Sequence, residues 1–91
     1  MKTLLLAILL AVPSYPQANK ADDRVEDLVR IRLAGDRDTG GAGRIKVIVK
    51  DGAVILEGKV ESDRQKARAE HLTKKVKGVK SVVNKLVVEP R

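Results

Sequence analysis

The chain has 91 residues, no cysteine and a single histidine. That bounds it to one small domain and excludes disulfide staples and a Cys/His metal cluster; no histidine-based triad is read around the one histidine. Its net charge is +7 and Tyr15 is its one aromatic residue, so anionic partners are favoured and a base-stacking surface for nucleic acid is excluded.

Met1-Lys2-Thr3, the apolar run 4–12 and the small residues up to Ala18 read as a secretory signal peptide over residues 1–18. The run is too short to cross a hydrocarbon core, which takes about 20 residues in a helix. Cleavage after Ala18 is expected. Ser14 is the alternative, because Pro16 stands at the third position before the first cut. The expected destination is the periplasm, and without cysteine no lipid can be attached through a thiol. The remaining domain buries only about 60% of its unfolded surface, so packing, aided by a partner, must do what disulfides cannot.

Residues 19–21 read as a short linker and 22–89 as the domain. Asp22 or Asp23 offers an N-cap, and Asp23 with Glu26 has capping-box spacing. Val25, Leu28, Val29 and Leu33 then share one side of a helix, while Ile31 points about 140° away. Gly35 is expected to end the helix at C′. Residues 36–43 have loop composition. Their G-x-x-G (Gly40 to Gly43) resembles the backbone clamp of KH domains, but it carries no Lys or Arg and leads into a strand, so no nucleic-acid site is read there.

Apolar and polar residues alternate on both sides of Asp51-Gly52, the signature of a two-residue type I′ hairpin. Its register pairs Lys50 with Ala53 and runs out to Ile45 opposite Gly58. Ile45, Val47, Val49, Val54, Leu56 and Gly58 then form the inner face. Ser62 and Gln65 open a second helix with capping-box spacing. Gln65, Ala69, Leu72 and Val76 line its inner side, Ala67 lies off it, and Gly78 ends it. Gly58 and Ala69 are read as small residues that let helix and sheet come close. Residues 79–89 are β-branched and read as a third strand. There Asn84 shares the inward side with Val82, Leu86 and Val88, so its amide needs a partner.

The order helix, strand, strand, helix, strand predicts an α+β fold: α-β-β-α-β, a mixed three-stranded sheet with both helices on one face. The strand–helix–strand unit places the third strand parallel to the second. The alternative places it antiparallel beside the first.

The pattern Asp22…Val25…Val29…Leu33, Ile45-x-Val47-x-Val49-x-Asp51-Gly52-x-Val54-x-Leu56-x-Gly58-x-Val60, Ala67 and Ala69, then Gly78-Val79-x-x-Val82-x-Asn84-x-Leu86-x-Val88 resembles the BON domain, the bacterial OsmY and nodulation module. The likeness covers nearly all of the chain beyond the leader. It implies a periplasmic or envelope protein, in a stress-response setting, that binds phospholipid or mediates protein contacts. Such modules often occur as paired copies; this chain carries one.

No catalytic constellation is found. His71 reads as a surface residue on the second helix, Asp22 and Asp23 as a cap, and no cofactor or metal is expected. The positive signal is charge: residues 64–80 hold seven Lys or Arg against one acid, Glu70. Arg64, Arg68, His71 and Lys75 recur at helical spacing beside the apolar stripe. Lys66 and Lys77 fall on the other flank, with Lys74 between. A solvated, solubilising face is the plain account of this pattern. The functional one is peripheral contact with anionic phospholipid head groups through Arg64, Lys66, Arg68, Lys74, Lys75 and Lys77. A second candidate surface is the outer sheet face, where Ile48, Ile55, Val83 and Val87 point away from the helices. It reads as β-propensity alone, or as a contact for an envelope protein or a second copy in a weak homo-oligomer.

Overall fold

Asp51 and Gly52 both adopt positive φ, 51° and 83°, as a type I′ turn requires. The strands on either side keep the expected register, Lys50 with Ala53, Ile48 with Ile55 and Ile45 with Gly58. The computed structural model describes residues 19–39 and 44–90. The expected leader, residues 1–18, and the G-x-x-G at 40–43 lie outside them. The elements are α1 (Lys20–Ala34), a 3-10 turn (Arg37–Thr39), β1 (Ile45–Lys50), β2 (Ala53–Val60), α2 (Asp63–Lys74) and β3 (Ser81–Val88). The sheet order is β1-β2-β3. β1 and β2 are antiparallel and β3 runs parallel to β2, so the alternative beside β1 is not adopted.

Both helices cover one face. Ile45, Val47, Val54, Leu56 and Val60 of the hairpin and Leu86 of β3 are buried against Val25, Val29 and Leu33 of α1 and Ala69 and Leu72 of α2. Thr73 joins them, fully buried, its hydroxyl donating to the Ala69 carbonyl at 2.7 Å. Asn84 finds two partners: its Nδ2 donates to the Lys66 carbonyl at 2.8 Å and its Oδ1 accepts from the Leu86 amide at 3.1 Å.

Several local expectations are corrected. The N-cap of α1 is Asn19, whose Oδ1 accepts from the Ala21 and Asp22 amides, so the segment read as a linker is the helix start. Glu26 pairs with Arg30 at 3.1 Å instead of closing a capping box. Leu28 is 40% exposed, because α1 lies on the sheet with its Val25–Val29–Leu33 edge. Gly35 ends α1 with φ −81°, an ordinary right-handed conformation. The following 3-10 turn continues the chain, and buried Thr39 caps it by donating to the Leu33 and Asp36 carbonyls. Helix α2 stops at Lys74 with Lys75 as C-cap, so Lys75, Val76 and Lys77 belong to the turn after it. At its start Ser62 accepts from the Gln65 amide, but Gln65 reaches back to the Glu61 amide and not to that of Ser62. At Gly58 (φ 125°) a Cβ would collide with the Arg44 carbonyl, so the close approach it permits is strand to strand, not helix to sheet.

Candidate functional site

The six cations singled out on and after α2 do not form a uniform stripe. Arg68 is engaged by Asp36: its Nε lies 3.3 Å from Oδ2 and its Nη2 3.3 Å from Oδ1. This two-pronged hydrogen bond, with the charge of Asp36, raises the guanidinium pKa above its ordinary value. Lys74 pairs with Glu70 one helical turn back at 2.9 Å. That contact holds the Glu70 carboxyl below the usual carboxylate range, aided by Asn84. Arg64, Lys66, Lys75 and Lys77 form no salt bridge among the described residues. Arg64, Lys75 and Lys77 are exposed and Lys66 is half-buried. His71 is exposed on the same helix.

Two of these free cations face α1. Lys77 and Gly78 close one side of an open depression of 540 Å³ whose other side is Lys20, Ala21, Arg24, Val25 and Leu28. A second depression, lined by Leu28, Ile31, Arg32, Lys75, Val76 and Lys77, shares Leu28 and Lys77 with it. Sequence reasoning missed the α1 half of this groove. Its only signal was Ile31, an isoleucine off the core stripe between arginines, and it is 68% exposed.

At the turn of the hairpin, Asp22 accepts from the Asp51 amide at 2.8 Å and the Gly52 amide at 3.1 Å. The Gly52 carbonyl accepts from the Lys80 amide at 2.8 Å. The turn is thus locked between the first turn of α1 and the start of β3.

On the sheet's other side, Ile48, Ile55 and Val83 stand in one cross-strand row. Val83 and Val87 are 46% and 54% exposed, while Ile48 and Ile55 are half-buried. Among the described residues no cluster of three or more His, Cys, Asp or Glu could hold a metal ion, and no helix is long and apolar enough to cross a membrane.

Comparison with known proteins agrees with this architecture. Osmotically-inducible protein Y of Escherichia coli (strain K12) is 43% identical over 58 residues, a span of 64% of this chain and 28% of that protein. The chain therefore matches just over a quarter of that relative's length. The BON domain pattern matches residues 21–90, which takes in both helices and all three strands. The chain belongs to the BON domain family.

Proposed function

We propose that the protein is a non-enzymatic module of the bacterial envelope, exported to the periplasm, that docks peripherally on anionic phospholipid surfaces through the cations of α2 and the turn after it. One observation carries this reading: Arg64, Lys66, Lys75 and Lys77 form no salt bridge among the described residues, although Lys66 lies close enough to Glu70 to help stabilise its charge. Each such cation near an anionic bilayer contributes about 1 kcal/mol, screened by salt. Four together give weak, reversible attachment. Arg68 and Lys74 contribute less, because Asp36 and Glu70 already neutralise them. The likeness to an osmotically inducible protein supports a setting of envelope stress.

The test is a titration of the exported, processed protein with anionic and zwitterionic vesicles at about 0.05 and 0.3 M salt. Binding is expected to anionic vesicles alone and to weaken with salt. Replacing Arg64, Lys66, Lys75 and Lys77 by Ala should abolish it. Replacing Arg68 and Lys74 should change it little. Equal binding to both vesicle types, or to neither, overturns the reading.

The exposed Val83 and Val87 favour a second reading, in which the outer sheet face is a contact for another envelope protein or a second copy of this chain. Its test is argued in the Discussion.

A further inference from the structure

Asp51-Gly52 is the one place in the sequence where glycine follows aspartate. In such a pair the glycine amide nitrogen can attack the aspartyl side chain, because no Cβ on the second residue shields it. The Asp51 side chain is exposed, and its carboxylate enters no salt bridge among the described residues. The carbon to be attacked is therefore open. The glycine, for its part, is imposed by the fold. It has a φ of 83°, and a Cβ there would lie 2.9 Å from the Lys80 side chain and 3.3 Å from the Gly78 carbonyl oxygen. Exchanging it for a shielding residue would strain the turn.

What restrains the reaction is Asp22. Attack needs the Gly52 nitrogen stripped of its proton. It also needs residue 51 to rotate about its Cα–C bond until that nitrogen meets Cγ, which takes the residue out of the left-handed turn conformation, φ 51°, that it holds. The Asp22 carboxylate opposes both. Its Oδ1 accepts from the Gly52 amide at 3.1 Å and its Oδ2 from the Asp51 amide at 2.8 Å. A negative charge beside the amide disfavours loss of its proton. Two hydrogen bonds to one side chain also fix two successive peptide groups. On the far side of the turn the Lys80 amide holds the Gly52 carbonyl at 2.8 Å.

We propose that Asp51 is a site of isoaspartate formation, that docking of Asp22 sets its rate, and that the change unlocks α1 from the hairpin. The Gly52 nitrogen bonds to Cγ of the protonated Asp51 carboxyl. The amide proton leaves with the carboxyl hydroxyl as water, and a five-membered succinimide remains. Water then adds to one of the two ring carbonyls. Breaking the bond from nitrogen to Cγ restores aspartate. Breaking the bond from nitrogen to the backbone carbonyl carbon leaves the chain running through Cβ and Cγ, with no net change in mass. The main chain of the turn is then one atom longer, so a two-residue loop no longer sets the hairpin register. The amides of residues 51 and 52 can no longer both reach Asp22. Because the reaction starts from the opened turn, the modified fraction records how long α1 has been undocked.

The experiment ages the exported, processed protein at neutral pH. Isoaspartate is read by an isoaspartyl-specific methyltransferase with a labelled methyl donor, and is placed by fragmentation of the peptide carrying residues 51 and 52. Four samples accompany the unaltered protein: Asp22→Ala, Asp22→Asn, Asn19→Ala, and the unaltered chain in denaturing guanidinium chloride. Melting curves taken first establish which variants are folded. Asp22→Ala is expected to form isoaspartate at residue 51 at least about fivefold faster than the unaltered protein, and the denatured chain faster still. Asn19→Ala, which leaves the turn contacts in place, should stay within about twofold of the unaltered rate. Asp22→Asn keeps an acceptor without the charge and should fall between; it carries the comparison if Asp22→Ala does not fold. The isoaspartyl form, isolated from aged protein, should melt at least about 4 °C lower. Folded Asp22 variants that age at the unaltered rate would overturn the inference. So would a native protein that ages as fast as the denatured chain, a denatured chain that forms no isoaspartate at residue 51, or an isoaspartyl form with unchanged melting.

Discussion

A methyl group at residue 58 would collide with the Arg44 carbonyl, and the backbone there, at φ 125°, lies where side-chain-bearing residues are rarely found. Two costs combine at one atom, a steric clash with backbone and an unfavourable torsion. Gly58→Ala should destabilise the protein by about 2–4 kcal/mol. For a domain this small that is a large share of a total of roughly 4–10 kcal/mol. Chemical denaturation checks it; a loss below about 1 kcal/mol would mean that the β1–β2 pair adjusts. The glycine itself was visible in the sequence, but its reason was not, because Arg44 approaches only once the hairpin has closed. The cations show the same limit. Their number and helical spacing are plain in residues 64–80, yet which are neutralised depends on Asp36, which packing brings to Arg68 from 32 positions away.

Among the elements, the hairpin was the most legible, since an Asp-Gly turn between alternating strands fixes register locally. The start of α1 was less so. Asp22 and Asp23 look like caps, but Asn19 fills that role and the Asp22 carboxylate is taken by the hairpin turn 29 and 30 residues on. Acidic residues in a helix's first turn interact well with its dipole whether or not they cap it, so composition could not separate the two roles. The same two-residue turn is also held by the Lys80 amide, and α1, the hairpin and β3 therefore meet there. Asp22→Ala removes the acceptor of two amides and should cost about 1–3 kcal/mol. It should also speed hydrogen exchange at the Asp51 and Gly52 amides by at least about tenfold. Asn19→Ala should cost about 1 kcal/mol through the lost cap and leave those two amides as protected as before. Equal exchange in both variants would remove Asp22 from the turn.

For the molecule as a whole, the layered arrangement puts no helix of the described residues on one sheet face, and the size of that face limits what it can hold. Three strands about 4.8 Å apart and about 26 Å long present roughly 350 Å² per copy. Two copies packed face to face would bury about 700 Å², short of the roughly 1,200 Å² of a specific, stable interface. Charge weakens such a pair further. Lys46 and Lys85 flank Glu57 in one cross-strand row, Lys50 is exposed at the end of β1, and Lys59 is paired with Glu89 at 3.1 Å. The face is therefore cationic around its apolar row. Self-association through Ile48, Ile55, Val83 and Val87 should accordingly be weak, appearing in sedimentation velocity only above about 100 μM, and Ile48→Lys should eliminate it without altering vesicle binding. Sedimentation that stays monomeric for both proteins up to about 1 mM would remove this face as a self-contact, while a tight dimer unaffected by Ile48→Lys would place the contact elsewhere. The two surfaces stand on opposite sides of the sheet, so loss of one activity with retention of the other is the outcome that this architecture demands.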